Sequence, residues 1–241
     1  MQNLGFNESN VKIKLVEKQM RLWNAKCTPS DENITKNLGF HFLTVSNDEG
    51  SLGTEIIQTL SHKLDWHIFD EEIISYIAEN NQISEKLVRK LDQKSENNIQ
   101  MIIERFLKTI VTNSFGGDEY QRGLLLTFAY LAHQGSAILV DRGANFALSN
   151  EIKGLKVRFT ASPEVRVKRL AKHLHVTAEE ARQQMLAHDE EKRRFVHHYF
   201  WHDLNDTRFY DAVFNTDHTS VEQVVSSILA LMIPSVETMI A

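Results

Sequence analysis

Five short apolar runs separated by long helical patterns predict an α/β fold built on a parallel sheet. Three observations carry this expectation. The runs FHFLTV (Phe40 to Val45), WHIF (Trp66 to Phe69), SAILVD (Ser136 to Asp141), LKVRFT (Leu155 to Thr160) and DAVFNT (Asp211 to Thr216) are compact and mostly apolar, as expected of strands covered on both faces. The stretches between them have the length and polarity of crossover helices. Only three prolines occur, and none interrupts a run.

Taken in chain order, Leu15, Val16, Gln19, Met20, Leu22 and Trp23 approximate a helical stripe, with Lys12, Lys14, Lys18 and Arg21 off it. The polar NAKCTPSDENITKN that follows contains Pro29 and reads as a linker. Residues 1–38 are therefore expected to form an extension, and residues 39–241 the main domain. TEIIQTLSHKL after the first run and EEIISYIAENN after the second read as helices. ISEKLVRKLDQKSENNIQMIIERFLKTIV and DEYQRGLLLTFAYLAHQG fill the gap to the third run, and PEVRVKRLAKHL with TAEEARQQMLAHDEEKRRFVHHYF fills the gap from the fourth to the fifth.

At 241 residues and 42% hydrophobic content the chain can bury the core of one domain with a small appended segment. Lys+Arg 27 against Asp+Glu 32 gives −5, which argues against a general polyanion surface and leaves local basic patches for phosphate groups. No nucleic-acid partner is expected. Cys27 is the only cysteine, so there is no intramolecular disulfide and no cysteine zinc site, in keeping with a reduced cytoplasmic setting. MQNLGFNESN lacks a basic segment followed by an apolar one, and no run approaches the roughly 18 apolar residues of a membrane span.

Ligands of parallel sheets bind at the carboxyl ends of the strands. Those ends carry Ser46 to Thr54, Asp70, Asp141 with Arg142, Ser162 and Asp217. The first is the most specific: VSNDEGSLGTEI (Val45 to Ile56) leads from a strand through a glycine-bearing turn into a helix. Such a loop holds phosphate because successive backbone N–H groups and the positive end of a helix dipole converge on one anion. The full signature ends in Gly-Lys-Ser/Thr, and here no lysine follows Gly53. An ordinary strand-to-helix turn with Thr54 as the N-cap competes with this reading.

With these residues in place, the chain resembles the cytidylate kinase-like family of P-loop nucleoside monophosphate kinases over roughly Phe40 to Met232. The resemblance is carried by AILVDRGANFAL (residues 137–148), LKVRFTASPEVRVKRL (155–170) and HDEEKRRFVHHYFWHDLNDTRFYDAVFNTD (188–217), with VSNDEGSLGTEI and WHIFDEEII at the matching places upstream. Gly53 stands where the main cytidylate kinases have the lysine, Thr54 at their hydroxyl place, and Leu52 replaces a glycine. Gly143 stands where they carry an aspartate and His188 where they carry an arginine.

The resemblance implies a P-loop NTPase-type three-layer fold: a five-stranded parallel sheet flanked by helices, with a helical nucleoside monophosphate-binding insertion and a lid. It implies ATP-dependent phosphoryl transfer to a nucleoside monophosphate, CMP or dCMP, with Mg²⁺. A nucleotide-binding regulatory protein of the same fold is the alternative, and an interaction module using Val11 to Trp23 a further one. That segment is also the candidate for self-association.

The roles follow from phosphoryl transfer, which needs positioning and charge neutralisation more than covalent help. Backbone N–H groups of Gly50, Ser51, Leu52, Gly53 and Thr54 would hold the donor β-phosphate, and the Thr54 hydroxyl would ligate Mg²⁺. Asp70 would face the acceptor or cap the helix after it; Asp141 would serve the metal or acceptor, or cap a turn. Arg142 suits a phosphate or base edge, against an ion pair with Asp141 or Glu119. Arg166, Arg169, Arg182, Lys192, Arg193 and Arg194 lie where the family carries its lid, so catalytic roles are expected for Arg142, Arg166 and Arg182, nucleotide binding for Arg169, Arg193 and Arg194, and orientation of an arginine or the acceptor for Asp189. His197, His198 and His202 are read as packing residues among Phe195, Tyr199, Phe200 and Trp201 rather than zinc ligands.

Overall fold

The computed structural model of the chain describes residues 39–80, 119–149 and 153–233, with Lys18, Met20 and Trp23. The chain divides into two compact units, Met1–Lys36 and Asn37–Ala241, and the sheet belongs to the second. Apart from the three residues just named, the amphipathic stripe over Val11 to Trp23 lies outside the described residues. So do the linker and the helical pattern from Ile83 to Val111.

All five expected strands form: β1 (Phe42–Asn47), β2 (His67–Phe69), β3 (Ala137–Val140), β4 (Gly154–Thr160) and β5 (Ala212–Asn215). They make one parallel sheet in the order β2-β3-β1-β4-β5. Its helices are α1 (Gly53–Leu64), α2 (Glu71–Glu79), α3 (Glu119–Gln134), α4 (Ala144–Ala147), α5 (Pro163–Leu174), α6 (Ala178–Phe200) and α7 (Val221–Met232). Among the described residues no helix is long and apolar enough to cross a membrane.

The strand order positions the site. β1 is flanked by β3 on one side and β4 on the other; the chain leaves β1 towards β2 and β3 and then crosses back to β4, so the strand order reverses beside β1 and opens a crevice at its carboxyl end. The glycine-bearing loop lies there. Leu43 and Val45 of β1, Ile138 and Val140 of β3, and Leu155, Val157 and Phe159 of β4 share one core with Ile56, Ile57, Leu60 and Leu64 of α1. Burying a Leu or Ile side chain contributes about 1.5–3 kcal/mol. This face therefore fixes α1, and with it the loop.

Two sequence expectations need correction. β5 alternates half-buried and exposed residues, and Val213 is 43% exposed. It pairs only with β4 at the sheet edge, so coverage on both faces fails there. β4 is apolar in pattern, yet it buries Lys156 and Arg158. The helix α7 was not expected from the sequence; a capping box between Ser220 and Gln223 starts it, and Val224, Val225, Ile228 and Met232 join the core.

Candidate active site

β1 ends at Asn47 and α1 begins at Gly53, so Asp48 to Leu52 make the turn. The Asp48 N–H donates to the Phe159 carbonyl at 3.0 Å and the Ser51 N–H to the Asp48 carbonyl at 3.1 Å. The N-cap of α1 is Leu52, at φ 62 and ψ 18, and no side chain caps the helix. The first amides of α1 are thus left unclaimed by any capping side chain, at the end that carries roughly half a positive charge. Thr54, exposed, is the second helical residue, so the alternative in which it caps the helix does not hold. A left-handed leucine costs about 1–2 kcal/mol, strain of the sort that persists at ligand-binding turns.

The base of the loop is fixed by a buried ion pair. Arg158 of β4 donates to Asp48 Oδ1 at 2.8 Å, to Ser46 Oγ at 3.0 Å and to Asn205 Oδ1 at 3.0 Å. The Thr160 hydroxyl donates to Asp48 Oδ2 at 2.8 Å, so both carboxylate oxygens are engaged. A charge buried this far needs such multiple bonding to offset its lost hydration.

The tip of the loop is held from α5 and α6. Arg166 donates from Nε to the Glu49 carbonyl at 2.6 Å and from both terminal nitrogens to Asp189, at 2.9 and 2.7 Å. Arg169 donates to the Gly50 carbonyl at 3.2 Å and to the hydroxyl and carbonyl of Thr216, at 3.0 and 2.6 Å. The Thr216 hydroxyl donates in turn to the Ser51 carbonyl at 3.0 Å. His188 Nδ1 stands 3.4 Å from Glu49 Oε2.

Lys192 of α6 reaches the other flank. Its Nζ donates to the Asn47 carbonyl and to Asp141 Oδ2, each at 2.9 Å. Burial opposes its charge, but the Asp141 carboxylate beside it, with Glu71 and Asp48 nearby, outweighs burial and raises its pKa above the ordinary lysine value. Asp141, Arg142 and Gly143 follow β3 with φ of 59, 50 and 78. Three successive left-handed residues, two of them not glycine, place Arg142 across the Phe195 ring at 4.7 Å and 3.8 Å from Glu71 Oε2, with its Nε buried and unpartnered. Ser46, Glu71, Asp141, Arg142, His188 and Lys192 line a cavity of about 20 Å³, enough for a water molecule.

Gly53 and Gly143 are closely overlaid. A Cβ at Gly53 would meet Asn47 Nδ2 at 2.7 Å and Asn47 Cβ and Cγ at 2.8 Å. One at Gly143 would meet the Phe200 ring at 2.2 Å. The side-chain directions from both positions are therefore occupied by other residues.

The profile of the cytidylate kinase-like family matches residues 42–218. The chain belongs to that family. The solved structure of an uncharacterized protein from Eubacterium ventriosum superposes with a TM-score of 0.59 at 13% identity, over 79% of this chain and 97% of that one, a likeness of fold. Shikimate kinase from Bacteroides thetaiotaomicron aligns over 79% of this chain and 96% of that one, at 13% identity and a TM-score of 0.40. No curated protein matches. The fold is the P-loop NTPase type, a five-stranded parallel sheet with flanking helices.

For a cytidylate kinase-like protein, the expected residues fall into two groups. Gly50 to Thr54, Asp141, Arg142, Arg166, Arg169 and Asp189 gather round the loop or the cavity beside it. Arg182 is exposed on α6, and Arg193 and Arg194 are exposed and pair with Glu190 on their own helix. Asp70 is the N-cap of α2, accepting from the Ile73 N–H at 2.9 Å. Arg142 meets Glu71 rather than Asp141 or Glu119. Asn47 and Asp48 fall within the expected Ser46 to Thr54 stretch, though no role was expected of them singly, and Thr216 ends the last strand; Arg158 was not expected at the site, and its signal in the sequence was a cation inside a mostly apolar strand.

Proposed function

We propose that this protein transfers a phosphoryl group from ATP to a nucleoside monophosphate, CMP or dCMP. Family membership supports nucleotide kinase-type chemistry. The observation that carries the reading is the glycine-bearing loop at the switch point of the sheet, ending in an α1 N-terminus with no capping side chain and overhung by Arg166, Arg169 and Lys192. Backbone N–H groups of Gly50 to Thr54 hold the donor phosphates. Arg142 and Asp141 face the acceptor. Arg166 and Arg169 neutralise charge developing on the transferred group, and Asp189 keeps Arg166 oriented.

Mg²⁺ fits the residues present. Thr54 offers an exposed hydroxyl at the second position of α1, and the carboxylates of Glu71 and Asp141 line the cavity beside the loop. Among the described residues no group of three His, Cys, Asp or Glu side chains forms a metal cage. Mg²⁺ ordinarily takes one or two protein ligands and completes its shell with phosphates and water. Thr54 would hold it, and the ion would supply charge neutralisation between donor phosphates.

A second reading, a nucleotide-binding regulator without turnover, draws on Asn47 filling the side-chain direction of Gly53 and on the smallness of the cavity. A thermal-shift panel of ATP, GTP, CMP, dCMP, UMP and AMP with and without Mg²⁺, run beside a turnover assay, separates the two. Stabilisation with turnover supports the kinase; stabilisation without turnover supports the regulator.

A further inference from the structure

We propose that Lys192, carried on the lid helix α6, supplies the ammonium group that position 53 lacks and engages the phosphates of the donor nucleotide. The inference rests on the kinase reading above. A full phosphate loop carries its lysine directly after the last glycine, where it pairs with the donor's outer phosphates. In this chain that position is Gly53, and Asn47 occupies the direction in which its side chain would leave the helix, with three atoms within 2.8 Å of a Cβ placed there. The gap is filled and not merely vacant.

The carbonyl of the same Asn47 receives Lys192 Nζ at 2.9 Å. An ammonium therefore reaches the last residue of β1, immediately before the turn, from a different element. It is mostly withdrawn from water, with 16% of its side chain exposed. Three guanidinium groups nearby are fixed by protein partners at the base and tip of the loop, Arg158 by Asp48, Ser46 and Asn205, Arg166 by Asp189 and the Glu49 carbonyl, Arg169 by Thr216 and the Gly50 carbonyl, so the charge of Arg166 and Arg169 acts from the tip, while Arg142 beside the cavity faces Glu71. An ammonium has three donors, and two of those on Lys192 are used, on Asn47 and Asp141. It also lines the cavity beside the loop.

This arrangement changes when the charge is present. A lysine within the loop stays with the donor whatever the lid does. A lysine on α6 arrives only when α6 lies against the loop, together with Asp189 and the Arg166 it holds. Donor binding by backbone amides and completion of the charge shell then become separate events, and lid closure controls the second.

The test compares the full-length wild type with Lys192→Met, Lys192→Gln and Lys192→Arg, varying ATP at saturating CMP and CMP at saturating ATP. Lys192→Gln keeps a donor for the Asn47 carbonyl without the charge, so it reads the charge if the methionine variant fails to fold. The expected result is a fall in kcat/KM for ATP of about 100-fold or more in the methionine and glutamine variants, with the arginine variant retaining most activity and KM for CMP moving less than about threefold. Unchanged ATP kinetics, or a defect confined to KM for CMP, overturns the inference. If the wild type turns over no monophosphate, the kinase reading fails by itself and the ATP-dependent rise in melting temperature decides. Loss of that rise in Lys192→Gln supports the inference; an equal rise in both proteins, or none in the wild type, overturns it.

Discussion

Arg166 and Asp189 meet in a two-pronged ion pair, 2.9 and 2.7 Å long, that joins α5 to α6 while the same guanidinium grips the Glu49 carbonyl at 2.6 Å. One side chain thus couples both lid helices to the tip of the loop. Arg166→Ala removes three hydrogen bonds and leaves Asp189 partly buried without its partner. Breaking such a pair costs about 3 kcal/mol, and adding Asp189→Asn recovers part of it. Urea unfolding of the two single variants and the double variant checks this; additive losses would contradict the coupling.

Much of the fold was legible because apolar runs report burial directly. The five runs became the five strands, and Asp189, expected from the resemblance to orient an arginine or the acceptor, pairs with Arg166. The rest depended on contacts that a linear reading does not contain. Arg158 sits in LKVRFT like a stray surface charge, and partners distant in the chain, Asp48 110 residues earlier with Ser46 and Asn205, explain its burial. Lys192, Arg193 and Arg194 are one basic run in the sequence, but successive residues point in different directions round a helix, so Lys192 alone turns to the loop while its neighbours face solvent. The left-handed geometry of Asp141 and Arg142 left no signal in residue type, since neither is glycine.

Restoring the missing lysine should fail by itself. Gly53→Lys drives its Cβ into Asn47 and is expected to lower stability by about 1–3 kcal/mol, as overpacking does. Asn47→Gly combined with Gly53→Lys removes the clash and should recover most of that loss. Melting temperatures of the two variants decide; a fully stable Gly53→Lys would show that Asn47 yields freely.

Gly143→Ala faces two obstacles. The Phe200 ring lies 2.2 Å from the new Cβ, and φ there is 78, a conformation that alanine adopts at a cost of about 1–2 kcal/mol. With overpacking added, a total loss of about 2–4 kcal/mol is expected. Chemical denaturation measures it, and a neutral substitution would mean that Phe200 repacks without penalty.

Acidification should weaken the fold below neutrality. Burial lowers the pKa of His41, His133 and His202 from the ordinary 6.5, and nearby Lys153 adds to the effect at the first two. A depressed folded-state pKa favours the neutral form, so the stabilisation is complete above 6.5 and lost as pH falls through the folded values. His202 stacks on Phe146 at 5.2 Å and packs on Phe209 at 4.3 Å, and the burial this brings is what disfavours its charged form. Unfolding free energies at about pH 7.5 and about pH 5.5 should differ in favour of the higher pH, and His202→Phe should reduce the difference. Equal values would contradict the assignment.

Product formation measures the proposed phosphoryl transfer at the α1 N-terminus. Purified full-length protein incubated with ATP, Mg²⁺ and CMP or dCMP should yield ADP and the matching nucleoside diphosphate in equal amounts. No ADP with any nucleoside monophosphate would contradict it.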